Sequence, residues 1–187
     1  MNDRQPLYHL ADRLKKRHGV DCSRTSMANW LIKLIKPLQP LFNLMKDEVI
    51  SYDIAGYDAT NLQVLKEPGR LPTTKSYIYC TRGGSPSKKV ILYDYNYEEH
   101  KKYTKDWFAG FKGYIHMDAD PFFEDLVAMP DIQANYCNAH SRRKFEPIAK
   151  MAKRKGLAKQ ALAFYKKLYK IESRAKREKL TLQSATY

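Results

Sequence analysis

The feature that most constrains this chain's fold is a change of hydrophobic period near Ser51, where helical spacing gives way to short β-prone runs. Ile54, Leu62 and Val64 mark the first run, Tyr77, Ile78 and Tyr79 the second, and Val90 to Tyr93 the third. The stretches between them, K-E-P-G-R-L-P and R-G-G-S-P-S-K, are rich in residues that reverse the chain. Three consecutive antiparallel strands are therefore predicted. Tyr103, Trp107 and Phe111, spaced by four, then predict a helix over residues 98–111 that packs on the sheet, closed by Gly110 and Gly113. A fourth strand is expected over Gly113–Met117, a short helix over Pro121–Ala128 and a fifth strand over Ile132–Cys137.

Three strands in meander, then helix, strand, helix, strand, is the element order of an RNase H-like domain. The predicted fold class is α/β, a mixed five-stranded sheet with flanking helices. Helical segments precede and follow it. Leu7, Leu10, Ala11 and Leu14 share one face of a first helix that Gly19 stops, and Ser23 is the expected N-cap of a second. Pro37 and Pro40 are expected to interrupt or redirect that second helix. The two helices with their G-V-D turn have a helix-turn-helix outline, which short packed helices commonly share. The tail from Arg142 is expected to be helical with a break near Gly156, and its second helix to present Leu157, Ala161, Phe164, Leu168 and Ile171 inward. Three segments follow: a helical residues 1–48, a sheet-bearing 49–145 and a basic helical 146–187.

Charge is concentrated in the tail. Between Cys137 and Leu180 there are 15 Lys and Arg against 3 acids, so that stretch carries +12 of the formal +14. A surplus of that kind is the footprint of a polyanion, because cations that neutralise phosphates release counterions. Arg142, Arg143 and Lys144, followed by Lys153, Arg154 and Lys155, are the candidate nucleic-acid contacts. The alternative is a solvated Lys-rich helix face. Cys22, Cys80 and Cys137 are too few and too scattered for a disulfide framework or a structural zinc site, which points to a reducing compartment. No apolar run is long enough to span a membrane and no signal-peptide pattern opens the chain, so a cytoplasmic protein without a membrane partner is expected.

Two acids draw attention as candidate catalytic and metal-binding residues. Asp58 and Asp118 each sit where an apolar strand pattern ends, and the strongest basic run follows them. A carboxylate at a strand tip is held by the sheet yet reachable from outside, so two on neighbouring strands can share divalent ions. Asp120 would point to the same side as Asp118 if the strand continued, and Asp118 is the favoured ligand. His116 is read as a packed, hydrogen-bonded neighbour or as an assistant to the chemistry. Cys137 and His140 lack a second pair at zinc spacing. Trp30, Trp107 and the tyrosines are assigned to core or interface by their spacing.

Four ordered blocks carry a family resemblance: D-A-T-N-L-Q-V-L-K-E-P-G-R, G-Y-I-H-M-D-A-D, C-N-A-H-S-R-R-K-F and L-Y-K-I-E. Together with the opening P-L-Y-H-L and S-R-T-S-M-A-N-W, they resemble bacterial insertion-sequence transposases of the IS66 family over nearly the whole chain. The resemblance implies a DDE-type enzyme of RNase H-like fold with a C-terminal helical insertion. Asp58 and Asp118 would be the first two acids of a two-metal site for Mg2+ or Mn2+. It implies DNA as partner, both insertion-sequence ends and target, together with nucleoid association and multimeric action. The sequence departs from the family pattern at Ala59, where a Glu is usual, and at Ala119 and Asp120, where a Gly and an aromatic are usual. Neither departure touches Asp58 or Asp118. The family's third acid lies beyond the helical insertion, and Glu146, Glu172 and Glu178 do not match it, so the chain is expected to be a C-terminally truncated core. The alternative is a catalytically inactive DNA-binding remnant or regulator.

Overall fold

The computed structural model describes residues 6–85, 87–97, 100–152 and 156–178. Two helices come first, α1 over Leu7–His18 and α2 over Arg24–Ile50. Gly19 ends α1 in the left-handed conformation at φ 67°, where a side chain would be strained. The Ser23 side chain accepts the Ser26 N–H at 3.0 Å and so caps α2.

Pro37 and Pro40 do not interrupt α2, which is the first correction to the sequence reading. Each proline removes one helical N–H donor, but residues 31–40 are exposed throughout, so water can take up the carbonyls left without a partner. The far end of the helix is anchored by Val49, fully buried, with Phe42, Met45 and Ile50 against the same core. Leu31, Leu34, Ile35 and Leu38 on the solvated stretch are exposed, as is Trp30, which is therefore not a core residue.

Five strands follow: β1 Ile54–Gln63, β2 Lys75–Gly83, β3 Val90–Asn96, β4 Gly113–Met117 and β5 Ile132–Tyr136. Their order across the sheet is β3-β2-β1-β4-β5. β1, β2 and β3 pair antiparallel, as the short Gly/Pro-rich connections require, while β4 and β5 join in parallel through helical crossovers. The sheet is mixed and the class is α/β, as predicted. Helix α3, His100–Trp107, connects β3 to β4; a 3-10 turn at Pro121–Phe123 and the one-turn helix α4, Glu124–Val127, connect β4 to β5. Two helices close the order, α5 over Asn138–Met151 and α6 over Leu157–Glu178.

One face of the sheet holds the core. Ala55 and Tyr57 of β1, Tyr79 and Thr81 of β2, and Ile115 and Met117 of β4 are all at most 2% exposed. Tyr57 stacks on Tyr79 at 5.7 Å and meets Phe108 edge-on at 4.9 Å, which ties the two central strands to the layer that α3 supplies. Alternation sends Gly56 and Asp58 to the opposite face, where Ile91, Tyr93 and Tyr114 are exposed.

The tail departs from the reading of its second helix. Leu157, Phe164, Leu168 and Ile171 of α6 are exposed, and Ala161 is half-buried. The packed side is Leu162, Tyr165 and Tyr169; Tyr165 exchanges a 2.6 Å hydrogen bond with Ser141 of α5 and lies 6.2 Å from the Phe145 ring. A helix that rests on a single other helix buries a narrow stripe, and two apolar stripes competed for it.

Candidate active site and nucleic-acid interface

Asp58 is not at the tip of a strand. β1 continues to Gln63 because β2 pairs with it that far, so Asp58 lies within the strand. Its other neighbour supplies the open edge. β4 pairs with β1 only over Ile54 to Gly56 and ends at Met117, which leaves β1 unpaired on that side from Tyr57 onward. Gly56 is level with His116, and Asp58 and Asp118 each follow two residues later in their own segments. Neighbouring strands run about 4.8 Å apart, which brings the residue just past the end of β4 near Asp58. Asp58 and Asp118 accordingly border one cavity of about 240 Å³ with Arg82, His116 and His140, and a second of about 240 Å³ with Asn61, Asp120 and Phe122.

The charges of these two acids are uncompensated. Asp58 Oδ1 accepts the N–H of Ala59 at 3.0 Å, which orients the carboxylate and leaves Oδ2 free. Among the described residues neither Asp58 nor Asp118 forms an ion pair. Asp120 is differently employed: its Oδ1 accepts the Phe122 N–H at 2.9 Å and caps the 3-10 turn. With β4 ended at Met117, Asp118 and Asp120 no longer share a strand's alternation.

His116, half-buried, faces the first cavity, and His140 enters it from the first turn of α5 with its Nδ1 buried and, among the described residues, without a hydrogen-bond partner. Cys22, Cys80 and Cys137 are free thiols. Among the described residues no three His, Cys, Asp or Glu side chains form a group that could hold a metal. The acid pair alone fits a hard divalent ion, because oxygen donors suit Mg2+ and Mn2+ and Mg2+ keeps several waters when one or two carboxylates bind it.

A second feature lies between α5 and α6. Arg142 of α5 and Lys166, Lys170, Arg174 and Arg177 of α6 line a cleft of about 730 Å³. Arg142 is paired with Glu146 at 2.7 Å and Arg174 with Glu178 at 3.8 Å, while Lys166 and Lys170 have no ion pair among the described residues. Arg143 and Lys144 are exposed on α5 outside this lining, and Lys153, Arg154 and Lys155 lie outside the described residues.

Comparison with known families decides the kinship. The family model described as "Transposase IS66 family" matches residues 1–186. The chain belongs to the IS66 transposase family. Two curated relatives, both from Sinorhizobium fredii strain NGR234, are similar to it: the uncharacterized protein y4qI, 28% identical over 76% of this chain, and the uncharacterized protein y4hP, 24% identical over 84%. This chain matches 28% and 32% of their respective lengths.

Within this IS66 chain the structure adds residues that the sequence reading passed over. Lys166, Lys170, Arg174 and Arg177 recur at helical spacing, a stripe that could have been read as one face had the apolar stripe beside it been assigned correctly. Arg82 had no such signal, since only the register of β1 on β2 brings it to Gly56 and the acid pair. No helix among the described residues is long and apolar enough to cross a membrane.

Proposed function

We propose that this chain carries the core of a DDE-type transposase in which Asp58 and Asp118 hold Mg2+ or Mn2+ at a DNA phosphodiester, for cleavage and strand transfer of an insertion sequence. The observation that carries the reading is that two carboxylates, Asp58 within β1 and Asp118 just past the end of the neighbouring parallel β4, border the same two cavities. The RNase H-like reading of the sheet is supported by its order, β3-β2-β1-β4-β5, with an antiparallel meander extended by two parallel strands, one acid on β1 and the other at the end of β4.

In this reading the sheet fixes the backbone of Asp58, the Ala59 N–H fixes its carboxylate, and Asp118 reaches the same point from the end of β4. When bound there, divalent ions supply electrophilic stabilisation to the entering and leaving oxygens of an in-line displacement. The cationic cleft of α5 and α6 holds duplex phosphates by charge and by the guanidinium fork. A further acid completes the DDE set, and no described residue is assigned to it.

A second reading, a DNA-binding remnant or regulator without catalysis, is favoured by one observation: the cleft shares no lining residue with the cavities of the acid pair, so DNA can be held without it. Nicking of supercoiled plasmid in Mg2+ or Mn2+ separates the two. The catalytic reading expects nicks from the wild-type chain and none from Asp58→Asn or Asp118→Asn. Equal background from all three leaves the binding reading.

A further inference from the structure

We propose that Arg82 is the phosphate-holding residue of the acid site, gripping a backbone phosphate of the DNA strand whose reacting bond faces Asp58 and Asp118. The proposal rests on the reading of that pair as a DNA-processing site and adds a residue to it.

The argument begins at Gly56. It stands opposite Arg82 in the antiparallel β1/β2 register and opposite His116 in the parallel β1/β4 register. Glycine inside a strand has no side chain to pack and marks a close approach. Here the backbone does not demand it, since Gly56 is not among the glycines with positive φ. The approach is made by Arg82, because a Cβ at position 56 would collide with the arginine's Nε and lie 2.7 Å from its Cγ. The stem of the arginine thus lies over Gly56 of β1, while the residue itself remains exposed.

That path brings Arg82 to the cavity of Asp58, Asp118 and His116. It also borders a neighbouring groove of about 350 Å³, where Lys89 is a second cation. Among the described residues the Arg82 side chain makes neither a hydrogen bond nor an ion pair. A counter-ion for the aspartates would be paired with one of them within 4 Å. An arginine held beside two acids but bonded to neither keeps its planar fork of donors for an anion, and a phosphate accepts that fork bidentately. Lys89 and Arg82 mark a cationic track along the groove that ends at the acid pair, the course a strand's phosphates would follow.

The test uses the whole chain and a fluorescein-labelled duplex oligonucleotide, followed by fluorescence anisotropy in Ca2+ at several salt concentrations. Arg82→Ala is expected to weaken binding about tenfold, the value of one charge-assisted contact, and to flatten the salt slope by about one. Gly56→Ala displaces the arginine while leaving net charge unchanged, and should weaken binding similarly. Lys112→Ala, which removes a charge paired with Asp131 at 3.6 Å, serves as the control for lost charge alone. Arg82→Gln carries the same expectation as Arg82→Ala if the alanine variant folds poorly by circular dichroism.

Wild-type affinity and slope in Arg82→Ala, or a change no larger than that of Lys112→Ala, overturns the proposal. Mn2+ titration of Asp58→Asn and Asp118→Asn tests the underlying reading apart from it. Lost Mn2+ binding in those variants with unchanged DNA binding in Arg82→Ala keeps the acid pair and rejects the arginine. Unchanged Mn2+ binding with weakened DNA binding in Arg82→Ala keeps the phosphate contact and rejects the metal reading.

Discussion

The Tyr79 hydroxyl lies 2.8 Å from His100 Nδ1, in a bond whose direction is set at the other ring nitrogen of the histidine. On the other side His100 Nε2 faces the Phe122 carbonyl at 2.6 Å, which only accepts. Nε2–H therefore donates to Phe122, and neutral Nδ1 accepts the tyrosine O–H. The pair ties β2 and α3 to the loop that follows Asp118.

A pH dependence follows from this bond. Burial holds the His100 pKa below the ordinary 6.5, against the pull of the Phe122 carbonyl and of Asp125, and protonation would also remove the acceptor that Tyr79 uses. Because the folded-state value lies under the unfolded one, the contribution to stability is complete above pH 6.5. It falls as pH drops from there through the lower folded value. Urea melts between pH 7.5 and pH 5 should show this loss in the wild type. His100→Gln should be weaker by about 1–2 kcal/mol at pH 7.5 and show a smaller loss on acidification.

The acid pair makes a prediction of opposite sign for stability. Asp58 and Asp118 border one cavity and neither is ion-paired among the described residues, so Asp58→Asn or Asp118→Asn breaks no ion pair and should leave the melting temperature unchanged or higher. Asn keeps an oxygen for the Ala59 N–H. Mn2+ affinity in the same variants should fall by more than about tenfold, the lower range for losing an outer-sphere partner. Calorimetric titration checks the second and thermal unfolding the first.

How much of this was legible in the sequence depends on whether local chemistry or pairing decides. Gly19 and Ser23 act through their own turns, and both ends were readable from residue type. The strand meander was readable because Gly/Pro-rich breaks limit the connections. The position of Asp58 within β1 was not, since the strand's length is set by β2 across from it and its open edge by the short β4. Asp118 was favoured over Asp120 from the sequence, and the structure gives Asp120 a separate task in capping Phe122. The packed face of α6 was misread because Leu157, Phe164, Leu168 and Ile171 repeat as regularly as Leu162, Tyr165 and Tyr169 do. Only the Tyr165 bond to Ser141 chooses between them.

Pro37 and Pro40 offer a prediction about α2. Each forfeits a backbone hydrogen bond in a solvated helix whose ends are held by the Ser23 cap and by Val49. Pro37→Ala and Pro40→Ala should each stabilise the helix by about 1–3 kcal/mol and raise ellipticity at the helical minimum. Unchanged or lower helicity in both variants would show that the prolines are not a burden to α2.

The cationic cleft gives the last prediction, separable from Arg82 by location. Lys166 and Lys170 have no ion pair among the described residues, whereas Arg142 and Arg174 already answer Glu146 and Glu178. The free lysines should therefore contribute more to phosphate binding than the engaged arginines, although an arginine is the better fork. Lys166→Glu and Lys170→Glu should each lower affinity for duplex DNA and flatten the salt slope by about one or more, without altering Mn2+ binding at Asp58 and Asp118. Arg174→Glu should cost less than either. Mobility-shift titrations at two salt concentrations read the order directly, and an Arg174 effect larger than both lysine effects would show that DNA displaces Glu178 from its pair.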